Sequence, residues 1–394
     1  MNLAVGLMEG RESVEVDLQG TFKDATGRIF PAGRHRFSEE IVLTPADPAS
    51  SFAIDDVTIG IGFHWERKER QVFRGGLRLL RRHGLTVIND VPLEEYVASV
   101  ISSEMSASCP LELLKAHAVI SRAWLCYPKL HPESVGPGNV SVRRGDEIIR
   151  WYGREAHQDF DVCADDHCQR YQGITKEHSA SVSQAVQATV GEVLKYDGKV
   201  CDARFYKCCG GLTDEYRTAW DDREVPYLVS LPDTDESGHA YCDTNDKALL
   251  AQILPGFDQE TRDFYRWRVA YTGDEIRDLV LSRLQEDVGS VASLEPLQRG
   301  PSGRIIRLRI QGAKKTLIVG KELEIRRALS RSHLYSSAFD VEREGSKFIL
   351  NGKGWGHGVG LCQIGAAVMA SRGKDYQTIL RHYYPGAVSG TLGT

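Results

Sequence analysis

The feature that most restricts this fold is a change of periodicity at Val91. After Pro92, the run LEEYVASVISSEM places Leu93, Tyr96, Val97, Val100 and Ile101 at i, i+3, i+4, i+7 and i+8, one face of an amphipathic helix. A second helix is expected from Pro110, a residue suited to a first helical turn, with Leu113, Ala116, Ile120, Ala123, Trp124 and Tyr127 along one side. The break between them, SASCP, is as short as connections between packed helices usually are. Two apolar stripes need a layer to cover them, and the flanking text supplies strands. Leu3 to Ile88 reads as short alternating segments such as SVEVDLQG and SFAIDDVTIGIGF, punctuated by Gly, Pro and Asp. Strand-like runs return from Arg304 as IIRLRIQG, KKTLIVG and SAFDVEREGSKFILNG. The expected class is therefore α+β: mixed β-sheets with a helical pair flanking a cleft. A β-rich segment over residues 1–85 precedes a main domain over 86–394.

Between these landmarks, SASVSQAVQATVG reads as a helix, and Asp197-Gly198 between two strand-like runs is a hairpin signal. The segment Cys208 to Trp220 is loop-like, a helix is expected around Asp274 to Gln285, and another over Leu361 to Arg372. Leu130 to Val140 is a Gly- and Pro-rich loop. The charged stretch Trp65 to Gly84 reads as a solvated strand pair or, alternatively, as a basic lip for an anionic polymer. Charge bears on that choice: 49 basic against 54 acidic side chains leave −5, so no global positive field favours nucleic acid. No apolar run reaches the ~18 to 20 residues of a membrane-spanning helix, and MNLAVGLMEGRE lacks the basic leader of a signal peptide. Nine cysteines in 394 residues are too sparse for a disulfide scaffold.

Four groups of residues could carry chemistry. Glu104 ends the buried stripe of the first helix, where desolvation and the carbonyl end of the helix both disfavour its ionised form, the requirement for a general acid near neutrality. A carboxylate at a frayed helix end, reaching water or pairing with Lys115 or Arg122, is the structural alternative. HQDFDVCADDHC gathers His157, Cys163, His167 and Cys168, soft and borderline donors that suit zinc; a Cys163–Cys168 disulfide or an unbonded cluster remain alternatives. GKGWGHGVGLCQIGA alternates glycine from 352 to 360 but matches neither dinucleotide nor phosphate-loop patterns, so no nucleotide cofactor is expected. It presents Trp355 and His357 beside bare backbone, suited to stacking on and hydrogen bonding to a sugar; a tight turn needing positive φ explains the glycines equally. In Cys208-Cys209-Gly210-Gly211, a bond from one cysteine to Cys201 or Cys242 is more plausible than a vicinal bridge.

Together these motifs resemble the stage II sporulation protein D and amidase-enhancer (SpoIID/LytB) family. VPLEEYVASVISSEMSASCPLELLKAHAVISRAW matches its helical pair, followed in order by YQGIT at Tyr171, Gly210-Gly211-Leu212-Thr213 with Trp220, PYL at Pro226, RGPSGRI at Arg299, GWGHGVGLCQIGA and the closing HYYPG. The resemblance covers about residues 86–386. It implies a lytic transglycosylase that cuts peptidoglycan glycan strands between N-acetylmuramic acid and N-acetylglucosamine, preferring strands stripped of stem peptides, with Glu104 as the catalytic acid and base. It also implies a cleft that binds glycan. Lys115, Gln172, Tyr206, Trp355, His357 and Gln363 lie in family motifs and are candidates for lining it, and His157, Cys163 and Cys168 fall where some members carry a comparable His/Cys group, consistent with zinc. Cys209 and Cys362 depart from the small residues common at their positions. The family's other name implies a second class of function, a non-catalytic glycan binder that enhances a cell-wall amidase. Both readings place the protein in the cell envelope.

Overall fold

The computed structural model describes residues 1–62, 66–132, 138–154, 157–256, 258 and 263–393; Trp65 and residues 133–137 of the Gly/Pro-rich loop fall outside them. The chain forms two compact units. One comprises Met1–Arg122, Ala156–Gly191 and Gln252–Pro255, the other Ala123–Glu155, Glu192–Ala251 and Gly256–Thr394. Each unit is thus assembled from separate stretches of the chain. The physical reason is backbone pairing: the strand Leu85–Pro92 is a full member of the N-terminal sheet, and it runs directly into the first helix.

The first unit holds a seven-stranded sheet and a four-stranded sheet. In the larger, Asn2–Arg11 pairs antiparallel with Leu85–Pro92, from Asn2 opposite Pro92 to Arg11 opposite Leu85, while the short strand Val162–Cys163 adds in parallel along its other edge. Two predicted helices follow: α1 over Leu93–Glu104 and α2 over Leu111–Leu130. The predicted stripe of α1 is the buried face: Tyr96, Val97, Val100 and Ile101 are fully enclosed, each contributing about 1.5–3 kcal/mol relative to an exposed position. An aromatic column links the sheets to this helix. Phe52 meets Phe73 at 5.4 Å, Phe73 meets Tyr171 at 6.0 Å, and Tyr171 stacks on Tyr96 at 5.3 Å.

The charged stretch near residue 70 does not form a strand pair with itself. Arg67–Arg74 pairs with Ser51–Ile59, while Gly76–Arg81 pairs with Leu85–Pro92 in the other sheet. Between them Gly75 has φ +85° and a Cβ there would lie 2.3 Å from the Asp90 carbonyl oxygen, so the switch of sheets needs glycine. The cations face carboxylates, Arg70 with Asp17 and Asp55, Arg78 with Asp90, and Arg82 with Asp159, which favours the solvated-strand reading over a basic lip.

In the second unit, a five-stranded sheet and the three-stranded sheet Arg266–Thr272, Lys347–Lys353, Phe339–Glu344 share a core of Trp267, Ile276, Val280, Leu308, Leu317 and Phe348. The hairpin is as predicted: Glu192–Tyr196 and Lys199–Val200 pair across Asp197 (φ 48°) and Gly198 (φ 75°), both left-handed as a type I′ turn requires. The late helices are Gly273–Leu284 and Gln363–Ser371. Within the described residues, no helix is long and apolar enough to cross a membrane.

Candidate functional site

Glu104 is the last residue of α1 and is half-buried. Its Oε1 accepts the backbone N–H of Arg170 at 3.0 Å, so the carboxylate is held by a segment 66 residues further on. That segment is itself anchored. Asp161 donates its amide to the Ala4 carbonyl and Ala164 to that of Gly6, and Phe160 lies so close over Gly6 that a Cβ there would be 2.5 Å from its ring. Beyond Arg170, the motif YQGIT straps α1 to the four-stranded sheet. The Gln172 amide donates to Ser99 Oγ at 3.1 Å, the Ile174 amide to the Val72 carbonyl at 2.8 Å, and Tyr96 Oη to Gln169 Oε1 at 3.2 Å. Gln172 is 2% exposed, whereas Lys115 is half-buried and pairs with Glu112 at 2.6 Å.

Inside the anchored segment, His157, Cys163, His167 and Cys168 present donor atoms that all lie within 4.8 Å of one another. His157 Nε2 is 3.3 Å from Cys168 Sγ, and His167 Nδ1 is 3.4 Å from Cys168 Sγ and 3.8 Å from Cys163 Sγ. Hydrogen bonding to Cys168 first, then to His157 and His167, pulls the Cys163 thiol far below the ordinary thiol range. Two thiolates and two imidazoles form a donor set that fits tetrahedral zinc, and His167 joins the three ligands expected from sequence. None of the nine cysteines is disulfide-bonded.

The remaining sequence candidates lie in the second unit. There the motifs far apart in sequence converge on two buried charged groups. Arg304 donates through Nε to the Gly356 carbonyl at 3.1 Å and through Nη1 to Ser302 Oγ at 2.9 Å, and Ser302 in turn donates to Asp214. Asp214 also accepts from Thr218 Oγ1 at 2.6 Å, and burial raises its pKa against the pull of Arg304. Gly358 is forced by this packing: at φ +85° its Cβ would sit 2.5 Å from the Arg304 guanidinium. At this position the glycine serves close approach to a buried arginine, while Gly354 and Gly360 admit the Cys208 and Arg204 carbonyls. Nothing in local composition marks Arg304 or Asp214 as partners; only their convergence in space does.

His357 Nδ1 accepts the Val359 amide at 3.0 Å, which leaves the neutral ring protonated at Nε2. Burial, then Arg204, Arg304 and Arg326, hold its pKa well below the usual histidine range, opposed by a backbone hydrogen bond with Phe205. The ring sits 4.9 Å from Trp220 and 5.3 Å from Tyr206. Trp355 is half-buried between Phe264 and Tyr335, at 4.9 and 4.7 Å. Tyr206 and Gln363 are buried, at 5% and 2% exposure. A cleft of about 430 Å³ in this unit is lined by Tyr216, Arg217, Arg223, Pro226 and Leu228 among others, and none of the sequence-predicted residues lines it. It adjoins the aromatic row through Tyr216, which stacks on Trp220 at 4.9 Å.

Comparison with known proteins matches two stretches of the chain. A family described as Stage II sporulation protein matches residues 81–196, the stretch carrying both helices, Glu104 and the His/Cys cluster, and a domain of unknown function matches residues 214–360. Stage II sporulation protein D of Bacillus amyloliquefaciens is 27% identical over 76% of this chain and 74% of its own length. An uncharacterized protein of Brachyspira hyodysenteriae is 31% identical over 77% of this chain and 67% of its own length. The amidase enhancer of Bacillus subtilis is 27% identical over 73% of this chain, which covers 39% of that longer protein. The family match and these relatives together make the chain a member of the stage II sporulation protein D and amidase-enhancer family.

Proposed function

We propose that this protein is a peptidoglycan lytic transglycosylase of the cell envelope, with Glu104 as its single acid and base. The observation that carries the reading is the placement of Glu104: a half-buried carboxylate at the end of a packed helix, held by the Arg170 amide at 3.0 Å on a segment tied down by the sheet and the His/Cys cluster. Such fixing is what a positioned proton donor needs. In the proposed reaction Glu104 protonates the glycosidic oxygen as the C1–O bond of N-acetylmuramic acid breaks. The C6 hydroxyl of the same sugar attacks C1, and its proton passes to Glu104, which regenerates the acid. Two carboxylates are the rule in glycosidases that use water; here the intramolecular nucleophile needs one, and the product is a 1,6-anhydro end.

In this reading His157, Cys163, His167 and Cys168 would hold zinc as four protein donors, a structural role that would fix the loop delivering the Arg170 amide. Within the first unit Lys115 and Gln172, and within the second Tyr206, Trp355, His357 and Gln363, are assigned to glycan binding, each set in its own unit. The test is digestion of stem-peptide-free glycan strands followed by mass spectrometry. Wild-type protein should release anhydromuramyl ends and Glu104→Gln should not, at unchanged melting temperature; full activity in Glu104→Gln would overturn the assignment. The relative named as an amidase enhancer favours a second reading, in which the chain binds glycan without cutting it. That reading expects glycan binding with no new ends and a rise in the turnover of an added cell-wall amidase.

A further inference from the structure

The second unit contains a group of residues that the proposed reaction does not use. Cys209, Asp233, Cys242 and Cys362 are all buried, at 1%, 0%, 3% and 0% exposure, and their donor atoms lie within 4.8 Å of one another. They come from three distant stretches: the CCGG loop, the segment before Lys247, and the residue that caps the helix Gln363–Ser371. Cys209 Sγ is 3.0 Å from Asp233 Oδ2 and 3.2 Å from Cys242 Sγ, beyond the ~2.05 Å of a disulfide.

The surroundings are those of a ligand set. Backbone amides aim at two sulfurs: Gly211 N–H at Cys209 Sγ, 3.2 Å, and both Cys209 N–H and Gly365 N–H at Cys362 Sγ, 3.3 and 3.4 Å. Amides so directed stabilise thiolate, and at Cys362 they include the first turn of a helix. The carboxylate is oriented from behind, because Asp233 Oδ1 accepts from Tyr383 Oη at 2.8 Å and lies 3.1 Å from His382 Nε2, which leaves Oδ2 facing the sulfurs. Outer partners of this kind accompany metal-bound carboxylates. Gly365 is required by the same approach, since a Cβ there would be 2.4 Å from both Asp233 Oδ2 and Tyr383 Oη.

A fully buried carboxylate whose inward oxygen faces only weak S–H donors is costly without a cation. From Tyr206 to Lys247 the only named helix or strand among the described residues is the four-residue helix Tyr216–Ala219, so the stretch that supplies three of the donors has little regular structure to hold it. We infer that Cys209, Asp233, Cys242 and Cys362 form a structural metal site for a zinc-class divalent cation, distinct from the His157 cluster. Three thiolates and one carboxylate suit tetrahedral zinc. Binding releases to solvent the protons the thiols carry and clips together segments separated by long loops.

The site is tested in the full-length protein carrying Cys163→Ser and Cys168→Ser, which removes the other cluster. Purified under reducing conditions with zinc, it should retain one zinc per chain by elemental analysis. With cobalt in place of zinc it should show the sulfur-to-cobalt charge-transfer and tetrahedral ligand-field bands of thiolate coordination. Adding Cys242→Ser should abolish both signals, whereas Cys201→Ser, outside the cluster, should leave them. A protein without metal before Cys242 is changed, or an intact mass two daltons low with Cys209 linked to Cys242 in peptide mapping, would overturn the inference. These readouts need no glycan cleavage, so they stand or fall separately from the role proposed for Glu104.

Discussion

Replacing Arg122 tests how α1 is held in place. Its side chain is 0% exposed and reaches from α2 to the first turn of α1, where Nη2 donates to Glu94 Oε2 at 2.7 Å and Nε to Glu94 Oε1 at 3.1 Å. Glu94 also accepts the Gly191 amide at 3.3 Å. Arg122→Met keeps most of the apolar volume but removes a two-pronged charged contact. Breaking a buried pair costs about 3–5 kcal/mol because the partner charge is stranded. Glu94 is 31% exposed and can recover water, so the lower end, about 3 kcal/mol, is expected. For a unit of about 160 residues, at roughly 2–4 °C per kcal/mol, the melting temperature should fall by about 6–12 °C. Denaturant unfolding of Arg122→Met, Glu94→Gln and the double variant supplies the check. The double variant should lose clearly less than the sum of the single losses, since each single change already breaks the pair. Strictly additive losses, or an Arg122→Met loss under about 1 kcal/mol, would refute the idea that this pair fixes the helix that carries Glu104.

Burial raises the Glu177 pKa to about 7, with Arg74 opposing and Glu95 adding to the rise. The unfolded carboxyl ionises near pH 4.5 and the folded one resists, so this group removes stability as pH climbs from about 4.5 to 7, on the order of 3 kcal/mol in full. Glu177→Gln should therefore be stabilising at pH 8 and neutral at pH 4 in thermal melts; equal effects at both would count against it. Gly358→Ala should cost at least twice as much as Gly373→Ala in denaturant unfolding. Both have positive φ, but only Gly358 has a guanidinium 2.5 Å from the new Cβ, and φ strain alone costs about 1–2 kcal/mol. Chelation should speed proteolysis between residues 157 and 170 and zinc should reverse it, because the cluster sits within that segment; equal cleavage rates would argue that the segment is held by its sheet contacts alone.

Local pattern determined much of this protein. The stripe Tyr96, Val97, Val100, Ile101 is the buried face of α1 because side chains three and four apart share one side of a helix wherever it packs. Asp197-Gly198 turns the predicted hairpin because few other pairs tolerate two left-handed residues, and the position of Glu104 at the helix end follows from simple counting. The family was legible for the same reason, as its motifs are contiguous. What the tertiary structure decided involves residues that are remote in sequence. Strand pairing, which composition does not record, places Leu85–Pro92 between Asn2–Arg11 and Gly76–Arg81. The glycine alternation announced a special backbone but not the buried Arg304 that crowds Gly358. Cys209, Cys242 and Cys362 looked like scattered thiols, and Asp233 like one acid among 54, until folding brought the four within 4.8 Å. Contacts that close loops of 9 to 120 residues leave no periodic trace in the chain, and only coordinates can report them.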